Sequence, residues 1–267
     1  MLEAVSRGPV TELRMSAEVL GRGLYWVSAF TVGGVMIDSG PPRTQHELAT
    51  WARGRPLSHV LNTHHHEDHV GGDSALASLG AAVLAPAASL GRLANPPHIQ
   101  LFRHLVWGRP APVRAQALPL RFDVGELSFE VIPTPGHSDD HVVLLVPAHG
   151  WLFTGDAFVH ERIRYAQADE DASVALRSLR SLLAHDFGVV FCGHAGYVRE
   201  GKEAIRRKVA HLEEVQAKAR LLGSEGLDDA AIARRIFGRL GHWHRITGGW
   251  FSEVNLVRQL RLGTDGR

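Results

Sequence analysis

Residues 63–72 read Thr-His-His-His-Glu-Asp-His-Val-Gly-Gly, or THHHEDHVGG. Inside this string His64, His66, Asp68 and His69 follow the spacing His-x-His-x-Asp-His. Neutral imidazole nitrogens and a hard carboxylate oxygen are the donors zinc takes. In a loop, residues two apart can converge on one ion while their neighbours turn to another. A tetrahedral site saturates at four ligands, so Asp68 and His69 are open to serving a different ion from His64 and His66. The competing reading is a His-rich surface loop, and the sequence on either side counts against it.

Before the string, HVLNT (59–63) is a short apolar run of the kind found in buried strands. After it, Gly71-Gly72 leads into DSALASLG, with helical spacing, and then AAVLAP, a strand. Further upstream, LYWVSAFTVGGVMIDSG is rich in β-branched and aromatic residues and turns at Gly33-Gly34, and residues 43–53 suit a short helix. This β–α–β rhythm predicts an α/β layered fold. Downstream, LSFEVIPT, HVVLLVPA and GWLFTGD read as strands, residues 171–184 as a helix, and VVFCG as another strand. Three further motifs sit where such strands end. PTPGHSDDH (133–141) offers His137, FTGD (153–156) offers Asp156, and CGHAG (192–196) offers His194. Each is preceded by a glycine, which lets the backbone turn sharply, and strand ends are where open α/β layers place ligands.

Taken in order, THHHEDHVGG, PGHSDDH, FTGD and CGHAG resemble the metallo-β-lactamase superfamily over about residues 10–197. The resemblance implies an αββα four-layer sandwich with metals at one edge of two sheets. It implies that His64, His66 and His137 hold a first metal, that Asp68, His69 and His194 hold a second, and that Asp156 bridges both. The expected cofactor is a pair of zinc ions, with iron or manganese as alternatives. Asp38, in MIDSG, matches a buried aspartate that braces such sites. Two metals roughly 3.5–4 Å apart can hold a bridging hydroxide and polarise a scissile bond. Asp68 and Asp156 are thus the candidate catalytic carboxylates, with Asp68 orienting the nucleophile.

Fold does not decide the reaction. THHHxDHxGG is similar to glyoxalase II, which favours a thioester, lactone or related carboxyl ester in a small, anionic or neutral, substrate. PGHSDDH followed by a helical tail resembles the β-lactamase-like endoribonucleases, so a phosphodiester, RNA included, is the alternative. A mononuclear iron persulfide dioxygenase is a third reading, and the complete set of seven ligands argues against it. A binding module with structural metals is a fourth, and closed four-ligand cages are the usual form of such sites. Secreted β-lactamases need an export signal that is not seen in the N-terminal sequence.

Composition bounds these readings. Hydrophobic residues make up 45% and charged residues 21%, a globular balance. No run approaches the roughly 18 apolar residues of a membrane span, so no membrane partner is expected and the expected location is the cytoplasm. The single cysteine, Cys192, excludes a Cys-rich zinc site, and its place in a strand marks it as a small buried hydrophobe. Residues 1–200 carry 16 Lys/Arg against 20 Asp/Glu, and residues 201–267 carry 13 against 8. The basic tail, and an acid-free stretch from 74 to 122 bearing Arg92, Arg103, Arg109, Arg114 and Arg121, would suit an anionic partner or a solvated surface.

The expected domains are a catalytic one over 1–198 and a helical appendage over 199–267, through which a homodimer could form. Within the appendage Ile205, Val209, Leu212, Val215 and Leu222 share a helical face, Leu227-Asp228-Asp229 resembles a helix start, and Trp250, Val254 and Val257 predict a third helix. Residues 95–117, bounded by prolines, read as a lid, a substrate loop or a short packing helix. Near the ligands, His65 is expected to point into structure, Glu67 to be solvated or to support a ligand, and His141 to hydrogen-bond a ligand or fill the core. His242 and His244 are expected to form a surface cap around Trp243.

Overall fold

Strand alternation sorts the N-terminal side chains onto two faces, and each face meets a different layer. The computed structural model describes residues 1–19 and 22–263. Its first sheet has seven strands in sequence order: β1 (Leu2–Arg7), β2 (Val10–Val19), β3 (Arg22–Val32), β4 (Val35–Ile37), β5 (His59–Leu61), β6 (Ala82–Ala85) and β7 (Gln116–Ala117). Pairing is antiparallel from β1 to β4 and parallel from β4 to β7. One face carries Leu13, Met15, Val27, Ala29, Met36, Val60 and Val83. It packs on α1 (Gln45–Ala52), α3 (Asp73–Ser78) and α4 (Leu90–Ala94) through Leu48, Ala52, Leu76 and Leu93.

The other face carries Phe30, Val32, Val35, Ile37, Leu61 and Leu84. It meets Phe129, Val131, Val142, Leu144, Phe153 and Phe191 of a second sheet. That sheet has six strands: β8 (Arg121–Val124), β9 (Leu127–Pro133), β10 (Val142–Val146), β11 (Trp151–Gly155), β13 (Val189–Cys192) and β14 (Gly196–Val198), in the order β14-β13-β11-β10-β9-β8. β11 and β13 run parallel, and the remaining pairs are antiparallel. All five residues of β10 are buried, which is why VVLLV is a continuous apolar run instead of an alternating one.

Contacts divide the chain into two compact units. The first comprises Met1–Pro133, Asp140–Val159 and Asp186–Gly201, and the second comprises Thr134–Asp139, His160–His185 and Lys202–Arg267. The first contains both large sheets, with α2 (Glu67–Val70) and α5 (Leu101–Trp107). The second contains α6 (Ala172–Leu182), most of α7 (Gly201–Ser224), and α8 (Asp229–Phe237), α9 (His242–Ile246) and α10 (Glu253–Leu262), with a ribbon of β12 (Ala166–Gln167) and β15 (Phe251–Ser252). Ala219, Ile232, Ala233, Val254 and Val257 form its core. The expected start at Asp228 is met, because its carboxylate caps α8 by accepting from Ala231 N at 2.7 Å. The last helix begins later than expected: Ser252 caps α10, and Trp250 lies before β15. Among the described residues no helix is long and apolar enough to cross a membrane.

Candidate metal centre

The first unit gathers four of the seven expected ligands at the ends of its strands. The loop after β5 supplies Asp68 and His69 through α2, the end of β11 supplies Asp156, and the end of β13 supplies His194. The β11–β13 register shifts between Phe153 and Gly155, and such an irregularity re-aims the chain just before Asp156. One donor atom from each of the four residues lies within 4.8 Å of the others. His69 Nε2 lies 3.1 Å from Asp156 Oδ1 and 3.9 Å from Asp68 Oδ2. His194 Nε2 lies 3.3 Å from Asp156 Oδ2 and 3.4 Å from Asp68 Oδ2. His69 is wholly buried, and its Nε2 finds no hydrogen-bond partner among the described residues. A buried imidazole nitrogen aimed at two carboxylates is the arrangement a cation would complete.

The opposite ring nitrogens are held from outside. Asp38 Oδ2 lies 2.7 Å from His69 Nδ1 and also accepts from Thr63 Oγ1 at 2.9 Å. With its one proton given to Asp38, the Thr63 hydroxyl can act only as acceptor toward His64 Nδ1, 3.0 Å away. His194 Nδ1 lies 3.1 Å from the Trp26 carbonyl oxygen, so it donates there. His141 Nε2 accepts from Asp156 N at 3.2 Å, fixing the backbone that carries the central carboxylate. Partners on Nδ1 direct Nε2 inward and set the tautomer, as around metal-bound histidines. Gly193 completes the close fit, since a Cβ there would lie 2.6 Å from His69 Cε1 and 3.0 Å from Asp156 Oδ1.

The charges inside this cluster act on one another. Burial opposes ionisation of Asp156, but His194 and His69 outweigh it and hold the carboxyl well below its ordinary range. Asp68 is lowered likewise: burial raises it, and His69 and His194 overcome that. Burial disfavours the imidazolium forms of His69 and His194, yet the facing carboxylates, Asp156 foremost, lift both well above the ordinary range. The cluster therefore favours positive charge at its centre.

Comparison with known proteins follows this geometry. The model of the metallo-beta-lactamase superfamily matches residues 27–194. The chain belongs to the metallo-β-lactamase superfamily. It is 32% identical over 175 residues to the hydroxyacylglutathione hydrolase of Methylococcus capsulatus, a match covering 61% of each chain. It is 29% identical over 200 residues to thioesterase pkgB of Emericella nidulans, covering 73% of this chain and 52% of that one. These matches thus span between half and two thirds of those relatives' lengths. A β-lactamase domain protein from Burkholderia ambifaria superposes with a TM-score of 0.73 at 20% identity, over 97% of this chain and 86% of that one. The α/β fold, with mixed sheets flanked by helices, is that of the superfamily.

Other residues around this metallo-β-lactamase centre are placed as follows. His64 and His66 occupy the same loop, with ring centroids 4.6 Å apart, and the His64 ring lies 4.2 Å from that of His69. His137 follows β9 in the segment 134–139 of the second unit, where its Nδ1 lies 2.7 Å from Glu170 Oε1. His65 points into structure as expected: its Nδ1 lies 2.9 Å from Asp140 Oδ2, which also accepts from Ser89 Oγ at 2.5 Å. Glu67 is not solvated. It is buried, and Arg103 grips it with Nε to Oε1 at 2.7 Å and Nη2 to Oε2 at 2.8 Å. Sequence spacing gave no sign of this pair, because the partners lie 36 positions apart on separate elements. Cys192 is buried, and Val159 N donates to its sulfur at 3.2 Å.

Proposed function

We propose that this chain is a dinuclear zinc hydrolase that cleaves a thioester-type carboxyl bond in a small-molecule substrate. The observation that carries the reading is the convergence of Asp68, His69, Asp156 and His194, with the buried His69 Nε2 directed at two carboxylates. In this reading Asp68, His69 and His194 hold one ion, His64, His66 and His137 the other, and Asp156 serves both. His137 suits the role because Glu170 engages its Nδ1, leaving Nε2 as the ligating nitrogen. A bound metal pair supplies Lewis acidity and an activated water at neutral pH. Asp38, through His69 and Thr63, keeps the ligating nitrogens in register. His141 fixes the Asp156 backbone, and Asp68 orients the nucleophile besides ligating. The names of the two relatives, a hydroxyacylglutathione hydrolase and a thioesterase, support the thioester over other carboxyl derivatives.

The basic tail favours this reading over RNA cleavage. Of its cations, Arg206 faces Glu203, Arg207 faces Glu161, Lys218 faces Glu214, and Arg258 and Arg261 face Asp229. Cations spent on internal carboxylates have less to offer a phosphate backbone. The test is a panel of a thioester, an aliphatic lactone, bis-p-nitrophenyl phosphate and a short single-stranded RNA, with metal content measured alongside and Asp156→Ala as control. Two equivalents of metal and turnover of the thioester are expected. Turnover of RNA alone, falling steeply with salt, would overturn the reading, and a single equivalent of iron would replace it with oxidative chemistry.

A further inference from the structure

The stretch 95–117 broke the rhythm of the sequence, and its structure ties it to the ligand loop. Within α5, Arg103 and Trp107 lie four residues apart and so share a face. Arg103 makes the buried two-bond pair with Glu67, which stands between His66 and Asp68. Trp107 places its ring 6.2 Å from that of His194 and 6.3 Å from that of Tyr25, edge to face. The segment is also closed on its surroundings. Arg43 Nη2 donates to His104 O at 3.3 Å, Arg109 Nη2 donates to Pro96 O at 3.0 Å, and Val113 N donates to Leu93 O at 3.0 Å.

Of the four gathered side chains, His194 is the most exposed. The His194 side chain is 25% exposed, whereas those of Asp68, His69 and Asp156 are 7%, 0% and 6% exposed. The Trp107 ring lies beside His194, and Tyr25 lies edge-on to Trp107. Tyr25 is 45% exposed and holds a positive φ of 59°, a conformation that is unusual for a bulky residue. Arg103 of α5 is committed to Glu67, and Arg92 of the preceding helix α4 lies 3.8 Å from Asp140. The surface beside His194 thus offers the aromatic ring of Trp107.

We infer that α5 is the specificity element of this site: locked by Glu67–Arg103, it presents Trp107, with Tyr25, as an aromatic wall that receives an apolar, preferably aryl, acyl group of the substrate. This rests on the thioester reading above and narrows its substrate to one with an apolar acyl group. The test compares acetyl and phenylacetyl thioesters of one thiol, together with calorimetric binding of the matching non-hydrolysable thioethers, on metal-loaded protein. The wild-type chain is expected to favour the phenyl compound at least tenfold in kcat/KM and in binding. Trp107→Ala brings both ratios close to one, and Trp107→Phe, which keeps a ring and the packing behind it, restores most of the preference. The double variant Glu67→Gln/Arg103→Met, which frees α5 without stranding a buried charge, lowers the ratio at full metal content. A phenyl preference that persists in folded, metal-loaded Trp107→Ala overturns the inference, as does a wild-type chain with no preference. Loss of the thioether preference in Trp107→Ala, in a chain that hydrolyses neither thioester, would refute the hydrolase reading and leave the aromatic wall standing.

Discussion

Asp73 opens α3 beneath the ligand loop, is completely buried, and faces no cation across a hydrogen bond. Ser39 Oγ donates to its Oδ1 at 2.7 Å and Asn62 Nδ2 donates to its Oδ2 at 2.6 Å. Burial raises its pKa from 3.8 to about 7, the two hydrogen bonds pull the other way, and the Asp38 charge adds to the rise. In the unfolded chain the carboxyl titrates near its ordinary value. From about pH 4 to pH 7 the folded state therefore binds the extra proton, and stability falls as pH rises. Each pKa unit is worth about 1.4 kcal/mol, so the full loss is about 4 kcal/mol, reached near pH 7 and constant above it. Asp73→Asn removes the titration. The new amide keeps an acceptor for Ser39, and its NH2 can donate to Asn62 Oδ1, which finds no partner in the present arrangement, once the Asn62 amide rotates. Urea unfolding of both proteins in chelator, from pH 5 to pH 8, isolates the effect because other titrations cancel in the difference. The variant should gain on the wild type by about 2–3 kcal/mol between pH 5 and pH 7. A difference that does not vary with pH would refute the reasoning.

Three other outcomes follow from the geometry. Glu67→Ala strands the buried Arg103 guanidinium, and chelated urea melts should show a loss of about 3–5 kcal/mol, while Glu67→Gln/Arg103→Met costs less; equal losses would mean that the pair is not desolvated. On the proposed two-ion reading, Asp156→Ala should reduce bound metal from two equivalents to at most one by elemental analysis, and should shrink the melting shift that metal gives the wild type, worth about 2.7 kcal/mol at a hundredfold excess over Kd. Gly193→Ala drives a Cβ against His69 Cε1 and Asp156 Oδ1 and should release metal at a cost above about 1 kcal/mol, whereas Gly188→Ala, whose Cβ would meet nothing within 4 Å, should retain both metal and stability.

Strand-end motifs were legible because they combine two local signals. An apolar run such as VVLLV or VVFC marks a strand by composition, and the glycine and donor that follow mark its exit. Asp38 could be found only through resemblance, since nothing in MIDSG by itself says that a carboxylate will meet His69 from 31 positions away. The strand β1 escaped notice because half of LEAVSR is exposed and the segment is held by its register against β2, Leu2 opposite Met15 through Arg7 opposite Val10. Local propensity does not encode such pairing. The solvated alternative for Glu67 fails for a related reason: a carboxylate amid candidate ligands reads as polar, and its burial is decided by an arginine brought in by α5. The role of 95–117 was equally hidden, because Trp107 gains its meaning from His194 and Tyr25, both distant in sequence.

Asp38 shows how the fold and the site are one construction. It stands just past β4 with a positive φ of 56°, a conformation that costs a non-glycine residue about 1–2 kcal/mol. The turn it makes brings its carboxylate under the loop after β5, where Oδ1 accepts from Thr63 N at 2.8 Å and Oδ2 meets Thr63 Oγ1 and His69 Nδ1. An asparagine could tolerate the same backbone but would present an NH2 where one of these donors points, so the position calls for acceptors on both oxygens. The strain at Asp38 is therefore offset by bonds that simultaneously anchor the ligand loop and fix the inward nitrogen of His69. The neighbouring Ser39 extends the same brace, accepting from Gly72 N at 3.0 Å and donating to Asp73. Gly71 and Gly72 leave room for it, since a Cβ on either would run into Pro42 or Ser39. The string that begins at Thr63 and ends at Gly72 is thus bound at both ends to residues 38–42, and the candidate ligands between those ends inherit their rigidity from that double attachment.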